Sequence, residues 1–287
     1  MRKTNINSAS TVKKSHSKQQ TLIELLRDGD NCVASLAMEQ LLEDPLWPKI
    51  VADNQDSSDT LFRKRLHELN HIGGRRQLRE QFLLLLKNKK LDLWSGLLML
   101  DQLYDFQSAA AYLEEMTDVL VEKFRNSSHE AIADGVISFM REENFTCATK
   151  NWMDLGNYIL GDVLESHCGA AVIICAITQY IAYSFGINMQ VCLHAGHYCL
   201  YYERKYILDP GNAWKVDSDV KLEQYHLCSD DEVLQVILEQ LFAMSIIEWD
   251  YWEIHVFMSL LCDAHHISQD KMPGPIGKYR FNQIQKS

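Results

Sequence analysis

Glycine and proline are scarce in this 287-residue chain, which contains only 13 glycines and 5 prolines. This composition excludes collagen-like and low-complexity chains, disfavours a turn-rich all-β fold and so favours helix. Hydrophobic residues make up 47% of the sequence and charged residues 23%, which is typical of a globular protein that can bury a sizeable core.

Basic residues are outnumbered by acidic residues, 28 against 39, which gives a formal net charge of −11. Phosphate binding requires a basic surface, so we expect a protein partner and no nucleic acid, while a small-molecule ligand stays open. Residues 1–20 are the exception, with five bases and no acid, and the remaining chain carries 23 bases against 39 acids. Because residues 1–20 lack the apolar stretch of a secretory signal, we predict a disordered basic tail, or alternatively an electrostatic tether.

The eight cysteines form no C-x-x-C pair and no zinc-like cluster. Without a signal peptide, free thiols in the cytoplasm are the default, and most of them should fill small spaces in the core. We expect no metal and no cofactor. His167 and His194 are the best alternative metal ligands, but no carboxylate has suitable spacing.

Charged residues are absent between Ser166 and Tyr202. Within this segment, residues 170–187 approach the length and apolarity of a membrane-spanning helix. Polar residues interrupt the stretch and no Lys or Arg flanks it, so a buried central helix is favoured over a membrane span.

The N-terminal third has helical spacing of apolar residues. Residues 21–43 predict two short helices around Asp28–Asp30 and resemble a HEAT-type helical hairpin. Residues 61–90 continue the helical pattern, with a predicted break at Gly73–Gly74. We therefore predict a helical cap over residues 21–90.

The remaining chain predicts an α+β domain over residues 91–265, followed by an irregular tail over 266–287. It is mostly helical, with a small antiparallel sheet packed on the central buried helix. Asp154 is predicted to cap a further helix, and the chain should return to helix after Val220. The other predicted elements are helices within 91–125, 128–141 and 169–185, and strands Met189–His194, His197–Tyr202 and Lys205–Leu208.

Three residues in this domain have the chain order of a Cys-His-Asp hydrolase or acyl-transferase. They are Cys168 before the apolar helix, His197 at a strand start and Asp209 at the end of the next strand. A helix N-terminus lowers a thiol pKa, an imidazole accepts the proton, and a carboxylate orients the imidazole. The spacing between His197 and Asp209 suits two adjacent strands of a hairpin.

Around these residues the sequence resembles the SirB-type, transglutaminase-like family of bacteria. The correspondence runs through NYILGDVLESHCG (157–169), SFGI (184–187), AGHY (195–198) and ILDPGN (207–212). It covers roughly residues 91–225 and implies a transglutaminase-like, papain-like core. Family members with a HEAT-like N-terminal hairpin account for residues 20–45.

The resemblance also places the nucleophile of active transglutaminase-like enzymes at Ala171, where the SirB-type family commonly has proline. Cys168 lies three residues earlier, which corresponds to about 4.5 Å of helix rise. The resemblance therefore implies a domain without efficient catalysis that acts as an interaction or regulatory module. Two alternatives are a cysteine acyl-transferase or amidase that uses Cys168, His197 and Asp209, and a helical-repeat protein adapter.

Overall fold

The computed structural model describes residues 18–105, 110–126, 133–203, 205–218 and 220–268. Most of the two predicted tails, residues 1–17 and 269–287, lies outside the described residues, whereas residues 18–20 are helical. The chain divides into two compact units between Leu78 and Arg79. In the part of the chain that is described, no helix is long and apolar enough to cross a membrane.

The first unit is helical. The predicted pair of short helices around Asp28–Asp30 is confirmed, and the side chain of Asp30 caps the second helix by accepting a hydrogen bond from the amide of Cys32. The similarity of this pair to HEAT repeats stays a prediction. The helices are α1 (residues 18–25), α2 (Asn31–Leu42), α3 (Trp47–Asn54) and α4 (Thr60–Lys87), the last of which continues into the second unit.

The predicted helix break at Gly73–Gly74 is wrong, because α4 runs through both glycines without interruption. The physical reason lies in packing. A Cβ atom at Gly73 would lie 2.5 Å from Cζ2 of Trp47, so glycine provides the space for a neighbouring indole and does not end the helix.

The second unit combines helices with two small sheets. Its helices are α5 (Leu93–Tyr104), α6 (Ala110–Asn126), α7 (Ala133–Glu142), α8 (Leu160–Ser166), α9 (Ala171–Ser184), α10 (Asp230–Glu248) and α11 (Tyr251–Ala264). Its strands are β1 (Thr146–Cys147), β2 (Cys168–Gly169), β3 (Met189–His194), β4 (His197–Tyr202), β5 (Tyr206–Asp209), β6 (Lys215–Ser218) and β7 (Tyr225–Leu227). The α+β prediction is confirmed.

The larger sheet has the strand order β6-β5-β4-β3-β7, and all of its neighbouring strands are antiparallel. The sequence predicts the bounds of β3 and β4 correctly, and β5 lies one residue further along than predicted. The chain returns to helix after Val220 as predicted, in a 3-10 helix (Leu222–Gln224) and then in α10, and the short strand β7 between them was not predicted. Asp154 caps a short 3-10 helix (Leu155–Tyr158), and α8 begins separately at Leu160.

Helix α9 forms the centre of the second unit, and nine of its fourteen residues are buried. It contacts both β3 and β4, as the charge-free segment predicts. The only side-chain polar group among those buried residues is the Thr178 hydroxyl, which donates to the carbonyl of Ile174 within the helix at 2.7 Å. Because this hydroxyl is hydrogen-bonded within the helix, α9 can be buried beneath the larger sheet without an unpaired hydroxyl. The packed helix supports the sheet and holds its own N-terminus in place.

Candidate functional site

A two-stranded parallel ladder lies immediately before α9. Thr146 pairs with Cys168, and Cys147 pairs with Gly169. The extended residue Ala170 then caps α9, and Ala171 is its first helical residue. Cys168 therefore belongs to a strand that precedes the helix, and the N-terminal turn of α9 carries no thiol.

The course of the chain into β2 is set by His167 at the C-terminal end of α8. This residue has a left-handed backbone conformation, with φ of 55°. Its imidazole stacks on Phe145, with ring centroids 4.2 Å apart, and its Nδ1 is hydrogen-bonded to the carbonyl of Glu143. His167 thus has a structural role in the turn that presents Cys168.

Gly169 allows β2 to lie close to the preceding elements. A Cβ atom at this position would lie 2.4 Å from Cγ2 of Val163 and 3.1 Å from the carbonyl oxygen of Asn157. Because the second neighbour is backbone, a larger residue cannot be accommodated by a rotamer change alone. This close approach to Val163 and Asn157 explains why glycine follows Cys168.

The larger sheet supplies the predicted imidazole and carboxylate. His197 begins β4, and Asp209 ends β5. One position beyond the pair Leu200–Leu208, the register brings Asp209 beside Cys199. Burial raises the pKa of the Cys199 thiol, and the charge of Asp209 raises it further.

Asp209 is half-buried, and its Oδ1 atom is fully buried with no hydrogen-bond partner among the residues that the structure describes. It lies close enough to the β1–β2 ladder to influence Cys147. The pKa of that thiol is raised to about 12 by burial first and then by the nearby Asp209 and Cys168. The structure therefore brings Cys147, Cys168 and Asp209 together.

His197 is exposed at the start of β4. Within the described residues, no hydrogen bond joins its ring to Cys168 or to Asp209. The three predicted site residues thus occur in the expected chain order but are not linked as a hydrogen-bonded relay in this conformation.

A surface pocket of about 490 Å³ opens beside the ladder. Cys147 and Cys168 contribute to one side, and Lys150, Asp154 and Asp162 contribute charged groups. Burial and neighbouring carboxylates raise the pKa of Asp162. A pocket with this lining can hold a small polar ligand or a peptide side chain next to the Cys168 thiol.

The alternative metal site is not assembled from His194 and His167. The Nδ1 atom of His194 is hydrogen-bonded to the carbonyl of Gln224 at 2.9 Å, while His167 is engaged at the end of α8. No group of three or more His, Cys, Asp or Glu residues in the described ranges is arranged to hold a metal ion.

Two residues near the site, Cys147 and Trp214, are not among those that the sequence predicts for it. Cys147 is separated from Cys168 along the chain, and only the parallel pairing of β1 with β2 brings them together. Trp214 is buried, and its indole N–H donates to the carbonyl of Phe145 at 3.1 Å. The guanidinium of Arg141 donates a hydrogen bond to the carbonyl of Trp214 at 2.7 Å. Trp214 thus anchors the segment after Asp209 against β1.

The remaining cysteines are mostly core residues, as predicted. Five of the eight are buried, and burial raises the pKa of Cys175 well above its ordinary value. Cys32 on α2 is the exposed exception. The thiols with access to the pocket are therefore Cys147 and Cys168.

Residues 107–240 match the family model described as the transglutaminase-like superfamily, Transglut_core2. This segment, which is just under half of the chain, is a transglutaminase-like domain. Comparison with curated proteins gives no match, and comparison with solved structures gives none either.

Proposed function

We propose that this transglutaminase-like domain has no efficient catalysis and acts as an interaction or regulatory module. The observation that carries the proposal is the position of the thiol: Cys168 lies in β2, and Ala171 occupies the first position of α9. A nucleophile displaced from the helix N-terminus loses the alignment that attack on a carbonyl requires.

The state of the neighbouring groups supports the same conclusion. Cys147, which burial and the nearby Asp209 both disfavour as a thiolate, has a pKa raised to about 12. At neutral pH it is protonated and a poor nucleophile. We further propose that the chain belongs to the SirB-type branch and is cytoplasmic, on the basis of its motif order and free thiols.

The test is transfer of a fluorescent primary amine to casein by the full-length chain. We expect the wild type and Cys168→Ala to give the same background signal. Release of ammonia from casein glutamine without added amine tests amidase activity in parallel. His197→Ala provides a third arm, because an active relay would need the imidazole.

Incorporation by the wild type that is lost in both Cys168→Ala and His197→Ala would overturn the proposal. Incorporation that survives both substitutions would instead indicate a different nucleophile. Peptide mass spectrometry after brief exposure to p-nitrophenyl acetate checks the same point without a protein substrate. We expect no preferential acetylation of Cys168 over the exposed Cys32.

A cysteine acyl-transferase or amidase is the second candidate, and the pocket beside Cys168 favours it. In that reaction the Cys168 thiol adds to a carboxamide carbonyl, its proton passes through His197 to the leaving amine, and a thioester forms. Water or a second amine then takes the acyl group. This candidate requires His197 to move towards Cys168, so trapping of a thioester on Cys168 would support it.

A further inference from the structure

Large exposed aromatic side chains are concentrated at the connection between α10 and α11. Trp249 is 49% exposed, Tyr251 is 51% exposed and Trp252 is 56% exposed. The indole N–H of Trp249 donates to the hydroxyl of Tyr251 at 2.9 Å, which orders two of these rings relative to each other. Clustered exposed aromatics mark interaction surfaces more often than isolated ones do.

A second exposed apolar segment lies beside this connection. The amide of Leu155 donates to the carboxylate of Glu248 at 2.6 Å, which joins the start of the 3-10 helix to the end of α10. Trp152 and Met153, three and two residues before Leu155, are 57% and 45% exposed. We call four exposed aromatic residues and one exposed methionine the aromatic surface: Trp152, Met153, Trp249, Tyr251 and Trp252.

The charge around the aromatic surface is negative. Glu248, Asp250 and Glu253 lie in or next to the connection itself, and Asp154 and Asp162 lie on the neighbouring segments. Among the described residues, no ion pair within 4.0 Å neutralises any of these five carboxylates. The whole segment 79–287 carries 16 Lys and Arg against 29 Asp and Glu, so it supplies few cations of its own.

Glu253 is a carboxylate with incomplete compensation. Its Oε2 atom is buried and has no hydrogen-bond partner within the described part of the chain, while a hydrogen bond connects the carboxylate to Tyr104. Burial, together with the charges of Asp250 and Glu248, raises the pKa of Glu253 to about 7. A cation next to this group would relieve the repulsion that the neighbouring carboxylates create.

We propose that the aromatic surface and the carboxylates around Glu253 bind a lysine- or arginine-rich segment of a partner protein. Ammonium and guanidinium groups are attracted to the faces of tryptophan and tyrosine rings, and carboxylates strengthen that attraction. A basic side chain of the partner supplies the cation that this combination of rings and carboxylates attracts.

This inference names a partner class for the interaction role proposed above and takes its biological meaning from that role. It uses the α10–α11 connection, whereas the question of catalysis concerns Cys168 and His197. An amine-transfer result that contradicts the proposed function would therefore leave the binding measurement unaffected.

The test measures binding of fluorescein-labelled octalysine to the full-length chain by anisotropy, with octaglutamate as the control peptide. We expect Trp252→Ala to weaken octalysine binding by about three- to tenfold, the loss of one cation–π contact. Tyr183 on α9 is 76% exposed and gives the matched control, Tyr183→Ala, which should bind octalysine like the wild type. Both substitutions leave the net charge unchanged, so they separate the aromatic contribution from attraction by total charge.

The pH dependence provides a second readout. We expect octalysine affinity to rise between pH 6 and pH 8, because binding favours ionised Glu253, and we expect Glu253→Gln to flatten this rise. The groups that act on Glu253 are the carboxylates Asp250 and Glu248 and the hydroxyl of Tyr104, which itself lies near Asp105 and Asp162. The exposed His255 lies two residues further along α11. Only the component of the rise that is lost in Glu253→Gln is assigned to the glutamate.

Equal affinity of Trp252→Ala, Tyr183→Ala and the wild type for octalysine would overturn the proposal, because binding would then depend on net charge alone. No measurable binding of octalysine at low ionic strength would overturn it as well. Circular dichroism of each variant checks that the fold is intact, and Trp249→Ala repeats the measurement at an independent position of the aromatic surface.

Discussion

The backbone of Gly73 in α4 lies against the indole ring of Trp47 in α3. A Cβ atom at position 73 would lie 2.5 Å from Cζ2 and 2.7 Å from both Cε2 and Cη2 of that ring. Such distances are well inside van der Waals contact, so the indole occupies space that only glycine leaves free. The packing compensates for the helix propensity that glycine lacks, about 1 kcal/mol relative to alanine.

We predict that Gly73→Ala lowers the local free energy of unfolding around α3 and α4 by about 1–3 kcal/mol through overpacking. Hydrogen exchange of peptides from residues 47–87 measures this change directly. Gly29→Ala is the matched control, because a Cβ at Gly29 meets nothing within 4 Å. Increased protection in Gly73→Ala would show that helix propensity outweighs the contact with Trp47.

Arg65 is a buried cation that ties α4 to the loop between α1 and α2. Its guanidinium donates to the carbonyls of Leu26, at 2.8 Å, and Asp28, and to Oδ1 of Asn31 at 3.0 Å. Substitution by methionine keeps much of the volume but leaves these three acceptors without their donor. We predict that Arg65→Met lowers the stability of the first unit by about 2–4 kcal/mol.

Urea unfolding of the full-length chain, combined with hydrogen exchange of residues 18–78, measures the effect of Arg65→Met. Arg63→Met is the matched control, because Arg63 lies on the exposed side of α4 and should change stability by less than about 0.5 kcal/mol. Similar effects of the two substitutions would contradict a specific role for the guanidinium of Arg65.

The elements that the sequence predicts well are those whose signals are local. Strands β3 and β4 follow from a charge-free segment, a turn at Gly196 and a run of β-forming residues, and α9 follows from its continuous apolar character. Strands β6 and β7 contain four and three residues and depend on partners elsewhere in the sheet, so their sequences carry little local information.

The candidate site shows the same distinction. Chain order alone identifies Cys168, His197 and Asp209, and the family resemblance identifies Ala171. The proximity of Cys147 to Asp209 could not be predicted, because it depends on the parallel pairing of two-residue strands that are far apart in sequence. Long-range pairing therefore brings a second thiol, Cys147, near the carboxylate in addition to Cys199 on the adjacent strand.

The influence of Asp209 on Cys147 leads to a prediction about thiol reactivity. With a pKa of about 12, only about 0.1% of the Cys147 thiol is ionised at pH 9. Asp209→Asn removes the negative charge, lowers the pKa of Cys147 and should increase its rate of iodoacetamide alkylation several-fold. Peptide mass spectrometry after timed labelling distinguishes Cys147 from the other seven cysteines.

Asp217→Asn on β6 is the control for this experiment, because it removes a nearby carboxylate that raises the pKa of Cys199 but not that of Cys147. Its Cys147 labelling rate should equal that of the wild type. An unchanged rate in Asp209→Asn would show that burial alone suppresses the reactivity of Cys147.

Glu253 makes stability depend on pH. Its pKa is raised to about 7 in the folded chain, whereas an unfolded glutamate titrates near pH 4.3. Between these values the folded state binds more protons than the unfolded state, so the free energy of unfolding should fall as pH rises from about 4.5 to 7 and level off above 7. Because Glu253 is partly exposed, solvent screening limits the expected loss to about 1 kcal/mol.

Urea unfolding at pH 5, 6, 7 and 8 should show a smaller decrease for Glu253→Gln than for the wild type. The glutamine side chain can still hydrogen-bond to Tyr104 but has no charge for Asp250 and Glu248 to repel. We therefore expect the variant to be the more stable protein at pH 8 and to lose that advantage at pH 5. Parallel curves for the two proteins would mean that Glu253 ionises without cost on the folded surface, and the Coulomb repulsion from Asp250 and Glu248 would then be screened completely.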